Sequence, residues 1–304
     1  MPSNPPNETY EDFKAGLVAI VGAPNAGKST LLNRMLGQKI SITSKKPQTT
    51  RNRILGVVDQ PKAQLIFLDT PGVHRASKLL NVRIVDAALA TIADADLVLV
   101  VTDAAKPNTD AERYLVAKLK EHRKPTILAL NKIDLIPKPD LLGLIDQWAA
   151  THAFASVVPI SAEKGTQVEE LIAEMVKMLP TGPPLYPPGS LTDLTERFIA
   201  GEMIREKVFR LTGEEIPYAA AVTIDEYKEE KQGQLVRINA TIHVERDSQK
   251  AILIGKGGAK LKEIGIAARK EIERMVDCQV FLQLFVRVEK NWSRDTKAIE
   301  RFGY

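Results

Sequence analysis

Short runs of consecutive apolar residues recur through the first 180 positions, at 17–21, 65–68, 97–101, 126–130 and 157–160. Each has strand length, and an unbroken apolar run reads as a strand covered on both faces. Helically spaced apolar positions, as at 110–122 and 168–179, separate them. That alternation predicts α/β architecture: a mostly parallel sheet flanked by helices. From position 192 the pattern changes. A helical stretch (192–211), two alternating segments (218–227 and 234–244), a helix-turn-helix (248–276) and a last strand (279–288) predict a smaller α+β unit. Between the two patterns, five of the 18 prolines fall within nine residues of the segment 180–189, with two glycines. Proline blocks both helix and ladder pairing, so this segment reads as a semi-rigid linker. The expected division is a flexible tail over 1–14, an α/β domain over 15–180, a Pro-rich linker over 181–191 and a C-terminal domain over 192–304.

Composition narrows the class. With 304 residues and 44% apolar side chains the chain can bury more than one core, which excludes disorder for most of its length. No apolar stretch approaches the roughly 18 residues a membrane span needs, and the polar, proline-bearing first dozen residues do not read as a secretion signal. One cysteine, Cys278, makes an internal disulfide impossible and reads as a buried core thiol in a reducing compartment.

The strongest chemistry follows the first apolar run: Gly22-Ala23-Pro24-Asn25-Ala26-Gly27-Lys28-Ser29, leading into a helical stretch from Thr30. Glycines let successive backbone N–H groups converge on one anion, and the helix N-terminus adds a positive dipole end. Phosphate is the expected guest, with Lys28 reaching the β and γ phosphates and the Ser29 hydroxyl binding Mg²⁺. After the run 126–130 stands Asn131-Lys132-Ile133-Asp134. A carboxylate at Asp134 can accept from the ring N–H and the exocyclic amine of guanine, whereas adenine lacks those paired donors and would strand it. This pattern selects GTP. Lys132 can lay its stem over the base, and Asn131 is expected to tie this loop to the phosphate loop. Ser161-Ala162 follow the run 157–160, and the Ala162 N–H is placed to meet the guanine oxygen.

Asp69-Thr70-Pro71-Gly72 follows the run 65–68. Asp69 is expected to hold Mg²⁺ through water, and the Gly72 N–H to bond the γ-phosphate, a bond lost on hydrolysis. The polar stretch from Lys45 to Arg51 offers a second hydroxyl for the metal, Thr50 first and Thr49 otherwise. His74 reads as solvent-exposed, and Trp148 and Trp292 as packing residues.

These elements, in this order, resemble the translation-factor-related GTPases over residues 16–179. The resemblance places Lys28, Thr50, Gly72 and Asn25 in the hydrolytic machinery. Val73 stands where Ras-like relatives carry a water-orienting glutamine, so slow intrinsic turnover is expected. Asn25 resembles a residue that in some relatives helps hold potassium beside the phosphates, which implies K⁺-stimulated turnover.

In the second unit, Gly255-x-x-Gly258 separates two helical patterns. Alone it is weak, because 18 glycines in 304 positions give about one such spacing by chance. Its surroundings strengthen it. Ile252, Ile254, Leu261, Ile264 and Ile266 provide an apolar face, and Lys250, Lys256, Lys260 and Lys262 give +4 over 248–262 without an acid. A glycine turn admits single-stranded phosphates close to the backbone, beside a groove for bases whose other wall is the strand 279–288. Ile254, Gly255, Lys256, Gly257, Gly258, Lys260 and Lys262 are the expected RNA contacts. The segment 211–289 resembles a type II KH domain.

A GTPase domain, a Pro-rich connector and a C-terminal type II KH domain together resemble the Era family of bacterial ribosome-assembly GTPases. That resemblance implies GTP and Mg²⁺ as ligands, and the 3′ region of 16S rRNA in the maturing 30S subunit as partner. It also implies peripheral contact at the inner face of the membrane; a cytoplasmic monomer is expected. The residues alone leave open a membrane-surface GTPase, or a nucleotide hydrolase whose C-terminal half binds lipid or protein. Net charge does not decide among these: +4 overall divides into +3 through Pro180 and +1 after it. Only the local cluster beside the glycine turn favours a polyanion.

Overall fold

The computed structural model describes residues 12–44, 51, 53–73, 79–213 and 216–303. The first domain runs β1 (Lys14–Val21), α1 (Lys28–Leu36), β2 (Ile54–Gln60), β3 (Ala63–Asp69), α2 (Leu79–Asp94), β4 (Leu97–Asp103), α3 (Thr109–His122), β5 (Thr126–Asn131), α4 (Lys138–Ala149), β6 (Ser156–Ile160) and α5 (Val168–Met178). Its sheet has the order β2-β3-β1-β4-β5-β6, parallel throughout except for β2 against β3. Alternation along β1 explains the two-sided core. Val18 and Ile20 face the cluster with Leu31 and Leu32 of α1, while Ala19 and Val21 face the one with Ile92 of α2 and Leu115 of α3. Strand order reverses beside β1, and open α/β sheets bind ligands at the carboxyl ends of their strands at such a point.

All five expected strands are present with ends shifted by three residues or fewer, and β2 is an addition. Its apolar run is interrupted by Gly56. That glycine serves α1 rather than a turn: a Cβ there would lie 2.9 Å from side-chain carbons of both Leu32 and Leu36.

The C-terminal domain comprises α6 (Glu196–Leu211), α7 (Ile216–Ala219), β7 (Ala221–Glu230), β8 (Leu235–Val244), α8 (Asp247–Ile254), α9 (Ala259–Val276), β9 (Gln279–Val288) and α10 (Thr296–Arg301). β8 pairs antiparallel with β7 and parallel with β9, leaving β9 at an edge. Helix α6 starts later than the apolar pattern suggested because Thr195 caps it, accepting from the Phe198 N–H. Every residue from 199 to 209 is buried, charged ones included, since α6 is enclosed on all sides and packs on α9 and β7. Glu202 holds Arg205 through two bonds of 2.6 and 2.7 Å, which offsets the cost of burying both charges.

The Pro-rich segment is laid along the first sheet rather than spanning open space. Gln64 of β3 accepts from the N–H groups of Leu185 and Tyr186 and donates to the Tyr186 carbonyl. Asp59 accepts from Gly189, and Val57 N–H reaches the Leu191 carbonyl. Trp148 packs edge-on to Phe154, and Trp292 is fully buried with Nε1 donating to the Ala219 carbonyl. Both tryptophans pack, as expected. Cys278 departs from expectation: in the turn between α9 and β9 it is only half-buried. Among the described residues no helix is long and apolar enough to cross a membrane.

Candidate nucleotide site and nucleic-acid interface

β1 delivers the chain into a loop whose glycines are dictated by contact. A Cβ on Gly22 would sit 2.1 Å from the Val101 carbonyl oxygen, and one on Gly27, at φ 99°, 2.2 Å from Asn131 Nδ2. Asn25, at φ 64°, stands exposed at the crest. The N-terminus of α1 has no side-chain cap and no acid in its first turn, which leaves the first turn, Thr30 included, available to an anion. Lys28 is buried and folds back over the loop, donating to the carbonyls of Gly22 (3.1 Å) and Ala23 (3.0 Å). Burial pulls its pKa down to about 8, partly opposed by the charge of Asp69. A polyphosphate would supply the negative charge that this ammonium lacks.

Asp69 ends β3 fully buried. Its Oδ2 accepts from the Ser29 hydroxyl (2.8 Å) and the Ser41 hydroxyl (2.9 Å), while Oδ1 has no hydrogen-bond partner among the described residues. Burial raises its pKa, against the Lys28 charge and the two hydroxyls. A buried carboxylate oxygen without a partner is costly. Beside a serine hydroxyl and a phosphate loop, these hard oxygens suit Mg²⁺, which takes one or two carboxylates plus phosphates and keeps several waters. Ser41 was not among the expected residues. Asn33 of α1 places it, accepting from the N–H groups of Ile40 and Ser41 and donating to the Ser41 carbonyl. Thr49, Thr50 and His74 lie outside the described residues.

Gly72 backs directly on the phosphate loop, where a Cβ would come within 2.8 Å of Pro24 N and Cα. Thr70 Oγ1 donates to the Ile20 carbonyl and Val73 N–H to the Gly22 carbonyl, clamping this segment to β1 and the loop. The Val73 side chain is fully buried in the core with Val21 and Ile92, which removes it from any attacking water.

Asn131 joins two loops, as expected. Its Nδ2 donates to the Ala26 carbonyl (2.8 Å) and its Oδ1 accepts from Ala162 N–H (2.9 Å). The Ala162 donor is therefore engaged already and would have to be shared with a base oxygen. Lys132 reaches the Asn25 carbonyl (2.8 Å) and pairs with Asp103 at 2.5 Å. Asp134 is exposed in a 3-10 turn, and no hydrogen bond or ion pair engages its carboxylate among the described residues. Ser161 is buried and its hydroxyl accepts from Lys164 N–H, tightening the turn. Arg34 holds this turn from α1, donating to the carbonyls of Ala162 (3.1 Å) and Glu163. Sequence reading missed Arg34, because a basic residue in the last turn of a helix is favoured by the dipole anyway.

Helices α8 and α9 meet at the glycine turn. Gly255, Gly257 and Gly258 have φ of 71°, 59° and 81°, and a Cβ on Gly257 or Gly258 would meet nothing within 4 Å. The backbone there is open to close approach. Lys256 and Lys262 are exposed, but Lys260 pairs with Glu263 at 2.7 Å, so the local positive charge is smaller than the sequence suggests. The expected apolar face divides: Ile264 is core, Ile254 and Leu261 are half-buried, and Ile252 and Ile266 remain exposed. α9 runs beside β9, with Leu284 3.5 Å from the position of a Cβ on Gly265, and Phe285 of β9 is exposed.

Comparison with known proteins matches residues 17–132 to the family model of the 50S ribosome-binding GTPase and residues 215–293 to that of the KH domain. The chain is 50% identical over 296 residues to the GTPase Era of Geotalea uraniireducens (strain Rf4), covering 97% of this chain and 99% of the relative. To the GTPase Era of Geobacter metallireducens it is 51% identical over 292 residues, covering 96% and 98%. Two solved structures superpose with TM-score 0.91 at 43% identity, covering 96% of this chain and 99% of each of theirs. One is a variant of Aquifex aeolicus Era bound to GDP and aluminium fluoride, the other Era in complex with MgGDPNP and nucleotides 1506–1542 of 16S ribosomal RNA.

Proposed function

The chain belongs to the family of the GTPase Era, and from that premise we propose that it is a GTP-driven switch that takes and releases single-stranded RNA of the 16S 3′ region during assembly of the 30S subunit. Phosphates lie against the backbone of Gly22, Ala23, Pro24, Asn25, Ala26 and Gly27, with Lys28 on the β and γ groups. Asp134 takes the guanine edge, Lys132 covers the ring, and Asn131, Ser161 and Ala162 shape the pocket. Ser29, Asp69 and Thr50 hold Mg²⁺, which neutralises charge on the phosphates. RNA lies over Ile254, Gly255, Lys256, Gly257 and Gly258, with Lys260 and Lys262 beside it.

One observation carries the coupling. Lys39 precedes Ser41, whose hydroxyl holds Asp69, and its ammonium pairs with Glu206 of α6 (2.6 Å) and Glu271 of α9 (2.5 Å). Because α9 begins at the glycine turn, a shift of the chain around Asp69 can pass along that helix from Glu271 to the RNA groove. GTP draws Thr50 and Gly72 to the γ-phosphate, and hydrolysis removes that bond and reverses the shift. RNA carrying the 16S 3′ sequence is expected to bind at least fivefold tighter to the protein with a non-hydrolysable GTP analogue than with GDP, a typical coupling. Equal affinities within twofold sink the switch. Displacement of the RNA by phosphatidylglycerol vesicles at matched anionic charge would favour a membrane surface, at the inner face of the cell membrane, as the natural partner.

We propose further, from the resemblance of Asn25 to a potassium-holding residue of some relatives, that a potassium ion sits beside the phosphates; Asn25 is exposed, at φ 64°. Hydrolysis should then run faster in KCl than in NaCl at one ionic strength, and equal rates remove the ion from the mechanism.

A further inference from the structure

Arg51 is a charged residue of the first domain that is buried in the second, only 5% exposed. Its Nη1 donates to the Ala220 carbonyl (2.9 Å) and its Nη2 to the Pro217 carbonyl (3.1 Å). The guanidinium carbon lies 5.7 Å from the ring centroid of Trp292 and 5.9 Å from that of Phe209. Trp292 is itself fixed to the same turn through Ala219. Planar donors aimed at two carbonyls, with aromatic rings beside them, make a receptor for arginine that lysine cannot fill, because a point ammonium has no fixed fork.

What this docking holds in place is the surroundings of Asp69. Three positions after Arg51, β2 begins at Ile54, whose register partner in β3 is Asp69. On the other side of the same connection, Ser41 bonds the Asp69 carboxylate, and Thr43 accepts from Arg210 of α6 through its carbonyl and its hydroxyl. Both chain ends flanking the metal-binding carboxylate are therefore tethered to the C-terminal domain. Arg51 is the tether on the side where the neighbouring residue in sequence is Thr50.

We infer that Arg51 is a positioning residue for GTP hydrolysis, which makes the turn 217–220 of the C-terminal domain a working part of the GTPase site. The guanidinium is spent on the carbonyls of Pro217 and Ala220; it anchors the chain that leads into β2, where Ile54 lies opposite Asp69. Nucleotide affinity, carried mainly by the phosphate loop and Asp134, depends little on that stretch, but the rate of the chemical step depends on it strongly, since misplacement by about 1 Å can cost on the order of 10²-fold. The inference rests on the GTPase reading above, and hydrolysis by the unmodified chain tests that reading separately.

The experiment compares the full-length chain with Arg51→Lys and Arg51→Gln. Single-turnover hydrolysis is followed at saturating GTP with Mg²⁺, and GTP and GDP affinities are measured by fluorescent-nucleotide displacement. Arg51→Lys keeps the charge and most of the packing, so it is the variant that decides if Arg51→Gln unfolds. The expected result is a fall of tenfold or more in the rate constant with both affinities within threefold of the parent. A rate within twofold of the parent overturns the inference. So does a loss of GTP affinity as large as the loss of rate, which would mark Arg51 as a general support of the site.

Discussion

Asparagine in place of Asp134 is expected to lower the affinity for GTP by about 10²–10³-fold, from the loss of two charge-assisted hydrogen bonds at roughly 1.5–3 kcal/mol each, discounted for solvent exposure. The carboxylate accepts from two guanine donors; an amide can accept one of those bonds but turns its NH₂ toward the other donor. Xanthine carries a carbonyl where guanine carries the amine, so the same variant should gain affinity for XTP. The exposed, unengaged state of Asp134 in the 3-10 turn means that the substitution disturbs no contact of the folded chain. Competition of GTP, XTP and ATP against a fluorescent nucleotide measures it. Unchanged GTP preference, or no gain for XTP, would remove Asp134 from base recognition.

Gly255→Asp should abolish RNA binding over the accessible range, a loss of at least roughly 30-fold, through two independent effects. At φ 71° any side chain is strained, and a Cβ would lie 2.8 Å from Lys260 Cβ and 3.0 Å from Lys260 N, forcing apart the turn that admits the phosphates. The new carboxylate also repels the RNA beside Lys256. Lys256→Asp leaves the backbone intact and should cost less, about tenfold, and lower the salt slope of binding by about one. With Lys260 already paired to Glu263, the parent slope should itself be modest. Filter binding across a salt series, with thermal unfolding to confirm that each variant is folded, separates these effects. RNA binding by Gly255→Asp at parental strength would move the nucleic acid off the glycine turn.

The elements of the fold were legible where burial on both faces leaves an unbroken apolar run, as in β4 and β5. β2 was not, because its glycine answers to the side chains of α1 rather than to its own strand. The Pro-rich segment announced a break in the chain but not its course. Gln64, a polar residue near the start of β3, directs it, and nothing local distinguishes that glutamine from one facing water. Cys278 was misplaced for a similar reason: its apolar character suggested the core, while the tight turn after α9 leaves it half exposed.

Within the site, the sequence alone determined what contiguous backbone can do. The phosphate loop, the guanine segment with Asp134, and the glycine turn at 255–258 are each a few successive residues, and their chemistry follows from local conformation and donor type. Tertiary structure decided how those segments are held together. Ser41 meets Asp69 across 28 positions, Arg34 meets Ala162 across 128, Arg51 meets Ala220 across 169 and Lys39 meets Glu271 across 232. Each joins one polar group to another with no periodicity and no neighbour in sequence to announce it. The physical reason is that a hydrogen bond or an ion pair depends on separation in space, and only the packing of elements far apart in sequence brings these atoms within reach.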